Sequence, residues 1–332
     1  MKIALRLVLS VGIAALLVAL LLYWSDLTPR EIGTTLGELD SDVYWLALGV
    51  QLAIYPLRAL RFRMLLPGNV GRPSTLRLLP IAAAHNMAAV LVPAKVGEAA
   101  LVVYLRSCCS VPAARGAAVL LVSRILDLAA VTGTVGIACI VLAANGEHGE
   151  LALGALGAAL SVLTVVLAWL SSRSERLVAA VRAVARLLRL GRTGPGARLN
   201  ELADSLGGAL GEVGKARLGV SALLSIPIWL CVFSFYAILA RGFGMELLPF
   251  AEAVFGAGLA VLSNLLPIHG FAGFGTLEAG WVLGFTALDV PRDLAVSSAL
   301  AVHLVYLGNI IAIGLLGHVG MALLPRREQS VG

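Results

Sequence analysis

The chain has 332 residues, of which 59% are hydrophobic and only 13% are charged, and its mean hydropathy is +0.94. Soluble domains carry about 25% charged residues, so the composition excludes an ordinary soluble protein and predicts an all-α polytopic membrane protein. The formal net charge of +6 is interpreted as a membrane-orientation signal, and no nucleic-acid partner is expected. The four cysteines have no metal-ligand spacing, and neither a metal nor another cofactor is expected.

The N-terminal part of the chain predicts two spans. Residues 7–24 form an apolar run after two cations, and no small-residue cleavage site follows it, which favours a retained first span over a signal peptide. Residues 43–57 form the second run, and the segment 58–77 that follows contains five arginines. Because cytoplasmic loops are enriched in Lys and Arg, the N-terminus and residues 58–77 are predicted to be cytoplasmic.

The next apolar segments predict a re-entrant hairpin at about residues 78–106. Residues 78–94 would be about 25 Å long as a helix, which is just enough to span, but residues 99–105 would reach only about 10 Å. If 78–94 crossed fully, every later loop would change side, and the basic segment 173–198 would face outward against the positive-inside rule. A hairpin that enters from the cytoplasm and returns there avoids this conflict.

The rest of the chain predicts four spans and a second hairpin. The spans are the apolar runs 113–144, 151–170, 218–240 and 294–323. Residues 253–266 and 276–288 are roughly 20 Å each as helices, too short to span singly, so they predict a hairpin at about residues 250–289 entered from outside. Arg326 and Arg327 then indicate a cytoplasmic C-terminus.

Residues 173–215 are predicted to be a basic cytoplasmic linker. Arg182, Arg186 and Arg189 would share one helical face opposite apolar residues, so this amphipathic segment would be able to lie on an anionic leaflet. A solvated linker between two repeat units is an equally good interpretation.

The order of spans and hairpins predicts an inverted repeat. The linker divides the chain into residues 1–172 and 216–332, and the plan of two spans, a hairpin and one span occurs twice along it. The first set is 7–24, 43–57, the first hairpin and 113–144, and the second is 151–170, 218–240, the second hairpin and 294–323. Because each set has an odd number of crossings, the second is upside down relative to the first. The expected architecture has about six full spans, two re-entrant hairpins and a pseudo-two-fold axis in the membrane plane. Broken helices that meet near the midplane are typical of transporters.

Polar residues inside these apolar segments are the candidate site residues. A charged residue at bilayer depth costs roughly 2.5–3.5 kcal/mol on insertion scales, so it is expected only where it faces protein or a wet cavity. The candidates for substrate binding are Arg58, Arg61, Lys95, Glu98, Arg124, Asp127, His269 and Glu278.

Several roles are open for these candidates. Lys95 and Arg124 are candidate ligands of a phosphate, and Glu98 and Glu278 would line the same cavity and meet an amine or a coupling proton. Arg124 and Asp127 are spaced i, i+3 and are expected to pair, which is also consistent with a purely structural role.

Arg58 and Arg61 would either snorkel to the interface or hold a phosphate. His303 is interpreted as a satisfied core residue in preference to a proton relay.

Four motifs in order carry a resemblance to a known family. They are Arg58-Ala59-Leu60-Arg61, Pro93-Ala94-Lys95-Val96-Gly97-Glu98, Ser123-Arg124-Ile125-Leu126-Asp127-Leu128 and the Gly-rich stretch that ends in Glu278. Over nearly its whole length the chain resembles the lysylphosphatidylglycerol synthase/flippase transmembrane region, a group of flippase-like integral membrane proteins. The resemblance implies lipid translocation between leaflets or handling of a lipid-linked intermediate. The family usually has arginine at the position of Lys95, and no appended aminoacyl-transferase domain is found, so lysyl-lipid synthesis is not expected.

The sequence therefore predicts a non-enzymatic lipid translocase in the cytoplasmic membrane. Its substrate would be an anionic or polyprenyl-linked lipid with a charged headgroup. One alternative is a non-catalytic membrane partner of a glycosyltransferase or of an envelope-lipid synthesis enzyme. A second is an intramembrane lipid-modifying enzyme that uses Glu98, Asp127, His269 and Glu278, although the sequence shows no adjacent nucleophile.

Overall fold

The computed structural model describes residues 29–66, 73–92, 96–146, 149–171, 211–265 and 271–324, together with a few positions between 175 and 208. These residues form helices and turns and contain no strand. The α-helices are α1 (Pro29–Gly37), α2 (Ser41–Leu65), α3 (Thr75–Leu91), α4 (Ala100–Cys109), α5 (Ala113–Asn145), α6 (Glu150–Ser171), α7 (Lys215–Gly242), α8 (Phe250–Leu265), α9 (Thr276–Thr286) and α10 (Arg292–Ala322). Short 3-10 turns lie at Val96–Ala99 and Phe271–Gly273.

Five of these helices are long and apolar enough to cross a membrane by length and composition: α2, α5, α6, α7 and α10. They coincide with five of the predicted spans, while the predicted first span, residues 7–24, lies outside the described residues. The all-helical fold is thus confirmed in its coarse form. The ends follow local chemistry, since Asp40 caps α2 by accepting from the Asp42 N–H at 2.7 Å, and Gly146 ends α5 with a left-handed φ of 77°.

Helices α3 and α4 form a tight helical hairpin in the first half of the chain. At the closed end, Gly97 lies so close to the Ala88 carbonyl that a Cβ would overlap it, which explains a glycine at this position. At the open end, the Arg77 guanidinium donates to the Cys108 carbonyl at 2.8 and 3.1 Å. The predicted reversal of the chain is therefore present. Whether this hairpin enters the membrane only part-way is still a prediction.

Helices α8 and α9 form the corresponding hairpin in the second half. Their axes approach closely because glycines face backbone across the contact: a Cβ on Gly280 would lie 2.7 Å from the Ala260 Cα. The Ser263 hydroxyl donates to the Thr276 carbonyl at 2.8 Å and fastens the two arms near the turn. Between the arms the chain passes through left-handed backbone at Ala272, Gly273 and Gly275.

The two halves interlock through their hairpins. Helix α3 of the first hairpin packs along α10 of the second half, and α8 of the second hairpin packs against α5 of the first half. Helices α2 and α7 pack against each other across the middle. This exchange of contacts brings the turns of both hairpins toward the centre of the bundle.

Several predicted features fall outside the described residues. They are residues 7–24, Lys95, Arg182, Arg186, Arg189, His269, Arg326 and Arg327.

Candidate functional site

A deeply buried ion pair joins α2 and α5. The Arg61 Nη1 lies 2.7 Å from the Asp127 Oδ1, and the two side chains are only 1% and 4% exposed. Helix α7 completes the arrangement: the Trp229 indole N–H donates to the same carboxylate oxygen at 3.0 Å, and Arg61 donates to the Ser225 hydroxyl at 2.9 Å. Buried charges are tolerated when they are paired and hydrogen-bonded in this way, so this group joins three helices.

Arg124 links this pair to the first hairpin. Its Nη1 lies 3.3 Å from the Asp127 Oδ2, so the pairing predicted from the i, i+3 spacing is confirmed. The other edge of the guanidinium contacts Glu98, with Nε to Oε2 at 2.9 Å and a second, shorter contact from Nη2. Both nitrogens donate to the same carboxylate oxygen, and hydrogen bonds between two charged groups are stronger than those between neutral groups. His85 Nε2 lies 3.5 Å from Arg124 Nη2 and 3.7 Å from the Glu98 carboxylate.

Arg58 is the cation of the cluster that makes no ion pair with a described carboxylate. Its Nη1 donates to the Asn86 Oδ1 at 2.7 Å, and the Asn86 amide donates to the Tyr55 hydroxyl at 3.2 Å. The Arg58 Nε is buried without a hydrogen-bond partner. The guanidinium is therefore held in place by a neutral side chain and retains donor capacity and charge for another group.

The cluster has more positive than negative charges. Three arginines face two carboxylates in the cluster, and the carboxylates, Glu98 and Asp127, are bound by Arg61 and Arg124. Over the described residues the cluster thus carries one uncompensated positive charge, located on Arg58. A monoanion is the complement of such a site.

Part of this cluster borders a cavity of about 420 Å³ at the centre of the bundle. Arg58, Glu98 and Arg124 supply its charged wall, and the partly exposed Arg124 (35%) and Glu98 (19%) face it. Helices from both halves contribute, including the first hairpin through Ala89 and the second through Ala272. The remaining wall combines aliphatic residues with seven aromatic or amide side chains: Gln51, Tyr55, Asn86, Trp229, Phe235, Tyr236 and Tyr306.

Glu278 lies in a second buried polar group and does not line this cavity. Its Oε1 is 2.6 Å from the His303 Nδ1, and both side chains are fully buried. Its Oε2 accepts the Gly275 N–H at 2.7 Å, which caps the start of α9. His303 Nε2 lies 3.1 Å from the Ala272 carbonyl, so the histidine fixes the left-handed turn that borders the cavity.

The hydrogen bonds define the proton count of this second group. A carbonyl only accepts, so His303 Nε2 carries a hydrogen toward Ala272. Two bare acceptors would repel each other at 2.6 Å, so a further proton lies between Nδ1 and Glu278. The pair is electrically neutral whichever of the two atoms holds that proton.

Sequence reasoning missed several residues of the site. Trp229 and Ser225 on α7 hold the central ion pair, and Tyr55 accepts from the amide of Asn86, the residue that orients Arg58. Gln51 also lines the cavity and accepts from the Asn309 amide at 2.8 Å. The available signal was the placement of amide and hydroxyl side chains inside apolar helices, but partners so distant in sequence are found only through the tertiary packing.

The comparisons with known proteins agree with a membrane protein of this kind. The sequence profile of the lysylphosphatidylglycerol synthase transmembrane region matches residues 4–314, nearly the whole chain. The chain belongs to that family. As a member of the lysylphosphatidylglycerol synthase transmembrane-region family with five long apolar helices, it is an integral membrane protein in contact with lipids.

A more distant likeness adds a second association. Over 151 residues the chain is 26% identical to the protein named glycosyltransferase AglD of Haloferax volcanii. The match takes in 46% of this chain and only 24% of that relative, so it concerns a part of the larger protein.

Proposed function

We propose that this protein translocates a lipid with an anionic headgroup between the leaflets of the cytoplasmic membrane. The central cavity would hold the headgroup, and Arg58 would bind its phosphate. The observation that supports this most directly is the uncompensated positive charge of Arg58 beside a cavity to which both halves of the bundle contribute. Membership in a family of flippase-like membrane proteins points the same way.

Arg58 suits a phosphate because of its geometry. A guanidinium presents a planar fork of donors that matches two phosphate oxygens, and Asn86 occupies only one of the Arg58 terminal nitrogens. Arg124, in contrast, is already neutralised by Glu98 and Asp127. We therefore assign the phosphate contact to Arg58, with Arg124 and Glu98 as the wall that positions it.

The cavity size favours a headgroup over a whole lipid. About 420 Å³ lies toward the lower end of the 300–1,000 Å³ that is usual for small-molecule pockets. The acyl or polyprenyl chains would stay in the bilayer while the headgroup crosses through the bundle. The aromatic wall supplies apolar faces and hydroxyl groups for glycerol or sugar.

The predicted inverted repeat would give this proposal its mechanism. The first hairpin would enter from the cytoplasm and the second from outside, with both termini cytoplasmic, and rocking of the two units would expose the cavity alternately. Two observations support it: each hairpin packs on the long helix of the opposite half, and residues beside both turns border the same cavity.

We propose no covalent chemistry at this site. Glu98 and Asp127 are both held in ion pairs with arginines, which accounts for these carboxylates without a catalytic role. Translocation by this route would be passive or driven by an ion gradient.

The test is lipid exchange in proteoliposomes with Arg58 variants. Arg58→Gln removes the charge, so exchange of a labelled anionic phospholipid should fall at least about tenfold if the contact is worth the 1.5–3 kcal/mol of a charged hydrogen bond. Arg58→Lys should keep a part of the activity, because it keeps charge without the fork. Arg106→Gln makes the same charge change at an exposed position away from the cavity and should exchange like wild type. Wild-type exchange by Arg58→Gln would overturn the assignment.

The likeness to AglD supports a second candidate function, in which the cavity holds a lipid-linked sugar for a glycosyltransferase. The same exchange assay with a polyprenyl-phosphate-linked sugar separates the two. Stable co-purification with a glycosyltransferase and no exchange of any lipid would favour the second function over translocation.

A further inference from the structure

We propose that a groove between α5, α6 and α7 binds an anionic phospholipid, with an acyl chain along the groove and the phosphate near Lys215. This lipid site is separate from the central cavity and goes beyond the proposed translocation. The groove measures about 620 Å³, and it lies between Leu126 and Ala130 on α5, Thr164 on α6 and Ala222 on α7.

The groove is shaped to accept an apolar chain. Small residues on α5 and α7 form much of its surface, and Gly219, at its edge, is exposed with no atom within 4 Å of where a Cβ would stand. The lining is mostly apolar, and an acyl chain gains about 0.8 kcal/mol for each methylene that it buries.

One end of the groove has the chemistry of a headgroup site. Lys215 and Arg176 both border that end. The Arg176 guanidinium lies 4.0 Å from the centre of the Trp169 ring and donates to the Trp169 carbonyl at 3.0 Å. Trp169 itself is 55% exposed, and exposed tryptophans are typical of the membrane interface, at the depth of lipid headgroups. Basic side chains therefore border the groove at the depth where a lipid phosphate lies.

The start of α7 also favours an anion. An α-helix N-terminus carries a partial positive charge that is usually balanced by acidic residues or a capping side chain. Helix α7 has neither: no acid lies in its first turn, and its N-cap, Gly214, makes no side-chain hydrogen bond. The nearest preceding acid, Glu212, pairs with Arg115 at 2.9 Å. A lipid phosphate beside Lys215 would supply the missing negative charge.

The groove and the central cavity lie on opposite sides of the buried ion pair. Ser225 borders the groove and contacts Arg61, whereas Trp229, one turn further along α7, borders the cavity and contacts Asp127. A lipid in the groove therefore lies beside the cavity without reaching Arg58.

The experiment is photo-crosslinking of the purified protein with two lipid probes. The probes are phosphatidylglycerol and phosphatidylcholine with a photoreactive group at the end of one acyl chain, and the readout is the labelling of α5, α6 and α7 peptides. Wild-type protein should be labelled along the groove, with phosphatidylglycerol preferred. Lys215→Ala should reduce that preference about fivefold, as expected for one basic residue near an anionic lipid.

Filling the groove provides the decisive variant. Gly219→Leu places a side chain in the groove and should abolish labelling there, and Ala222→Leu serves the same purpose if the first variant folds poorly. The matched control is Gly308→Leu on α10, which is also exposed and also has no neighbour within 4 Å; it should be labelled like wild type. Unchanged labelling in the filled variants, or equal labelling by both probes in wild type, would overturn the proposal. Arg58→Gln should leave groove labelling unchanged, so this test and the exchange test fail independently.

Discussion

The ion pair between Arg61 and Asp127 predicts a strong, compensable effect on stability. Arg61→Met would leave the Asp127 carboxylate with Trp229 and the more distant Arg124, and Asp127→Leu would leave Arg61 buried at 1% exposure with only Ser225. Removing one partner of a buried pair costs about 3–5 kcal/mol. Each single variant should therefore lose a large part of the free energy of unfolding, because each strands an uncompensated charge.

The double variant Arg61→Met/Asp127→Leu should recover most of that loss. It replaces the pair by apolar side chains, and it also removes the Arg61 Nε, which is buried without a partner. The remaining cost is the Trp229 indole N–H, left without its acceptor, at about 1–3 kcal/mol. The two single effects should sum to about 6–10 kcal/mol, so the difference from the double variant measures a large coupling.

Reversible unfolding in mixed detergent micelles measures these free energies, with the far-ultraviolet circular dichroism followed as SDS is added. A double variant as unstable as the sum of the singles would refute the reasoning. So would singles that each lose less than about 1 kcal/mol, the range of an exposed pair. If all three variants fold well but exchange no lipid, the pair acts in transport and is not the structural link between helices that we describe.

Three further outcomes follow from the geometry. Cys108 and Cys109 are predicted to lie on the cytoplasmic side, so in intact cells an impermeant thiol reagent should label neither. Cys108 is partly exposed and Cys109 is buried, so permeabilisation should allow labelling of Cys108. Labelling from outside would make α3 a full span. Gly280→Ala would place a Cβ 2.7 Å from the Ala260 Cα and should destabilise the protein by about 1–3 kcal/mol in the SDS titration, whereas Gly308→Ala, with open space around it, should not; equal stability of the two would contradict the close packing of α8 and α9. Glu278→Gln keeps an acceptor for Gly275 and a donor for His303, so it should hardly change the free energy of unfolding. Glu278→Ala leaves both buried partners without a hydrogen bond, at about 1–3 kcal/mol each. A smaller loss of stability for Glu278→Ala than for Glu278→Gln would argue against the pairing.

The sequence predicted the parts of the fold that depend on local patterns. Runs of apolar residues placed the five long helices of the described chain to within a few residues at most ends, because hydropathy is read directly from composition. The α3–α4 reversal was also predictable, since Pro93 and Gly97 interrupt the apolar sequence and residues 99–105 are too short to span alone. The Arg124–Asp127 pair followed from helix periodicity.

Partners that are distant in sequence were beyond this reasoning. Snorkelling to the interface was one interpretation of Arg61, yet its side chain is almost completely buried, because Asp127, 66 residues away, faces it from another helix. Arg124 was predicted to bind phosphate, but Glu98 accepts a hydrogen bond from the edge of its guanidinium that does not contact Asp127. Which cation stays unpaired depends on how α2, α3 and α5 pack, and a single sequence does not encode that in any local pattern.

The charge balance of the central cavity has an electrical consequence. Over the described residues the empty cavity carries one net positive charge, while the Glu278–His303 pair adds none. A bound phosphodiester would cancel that charge, so the loaded cavity would be neutral and exchange of lipid for lipid should be insensitive to membrane voltage. The empty protein would instead feel up to about 2.3 kcal/mol per 100 mV for each charge that crosses the field. In net one-way transport the empty protein returns while its cavity is charged, so only that step would depend on voltage. A lipid with a doubly charged phosphate would leave the loaded cavity with one net negative charge, so the step that carries the lipid would then depend on voltage as well.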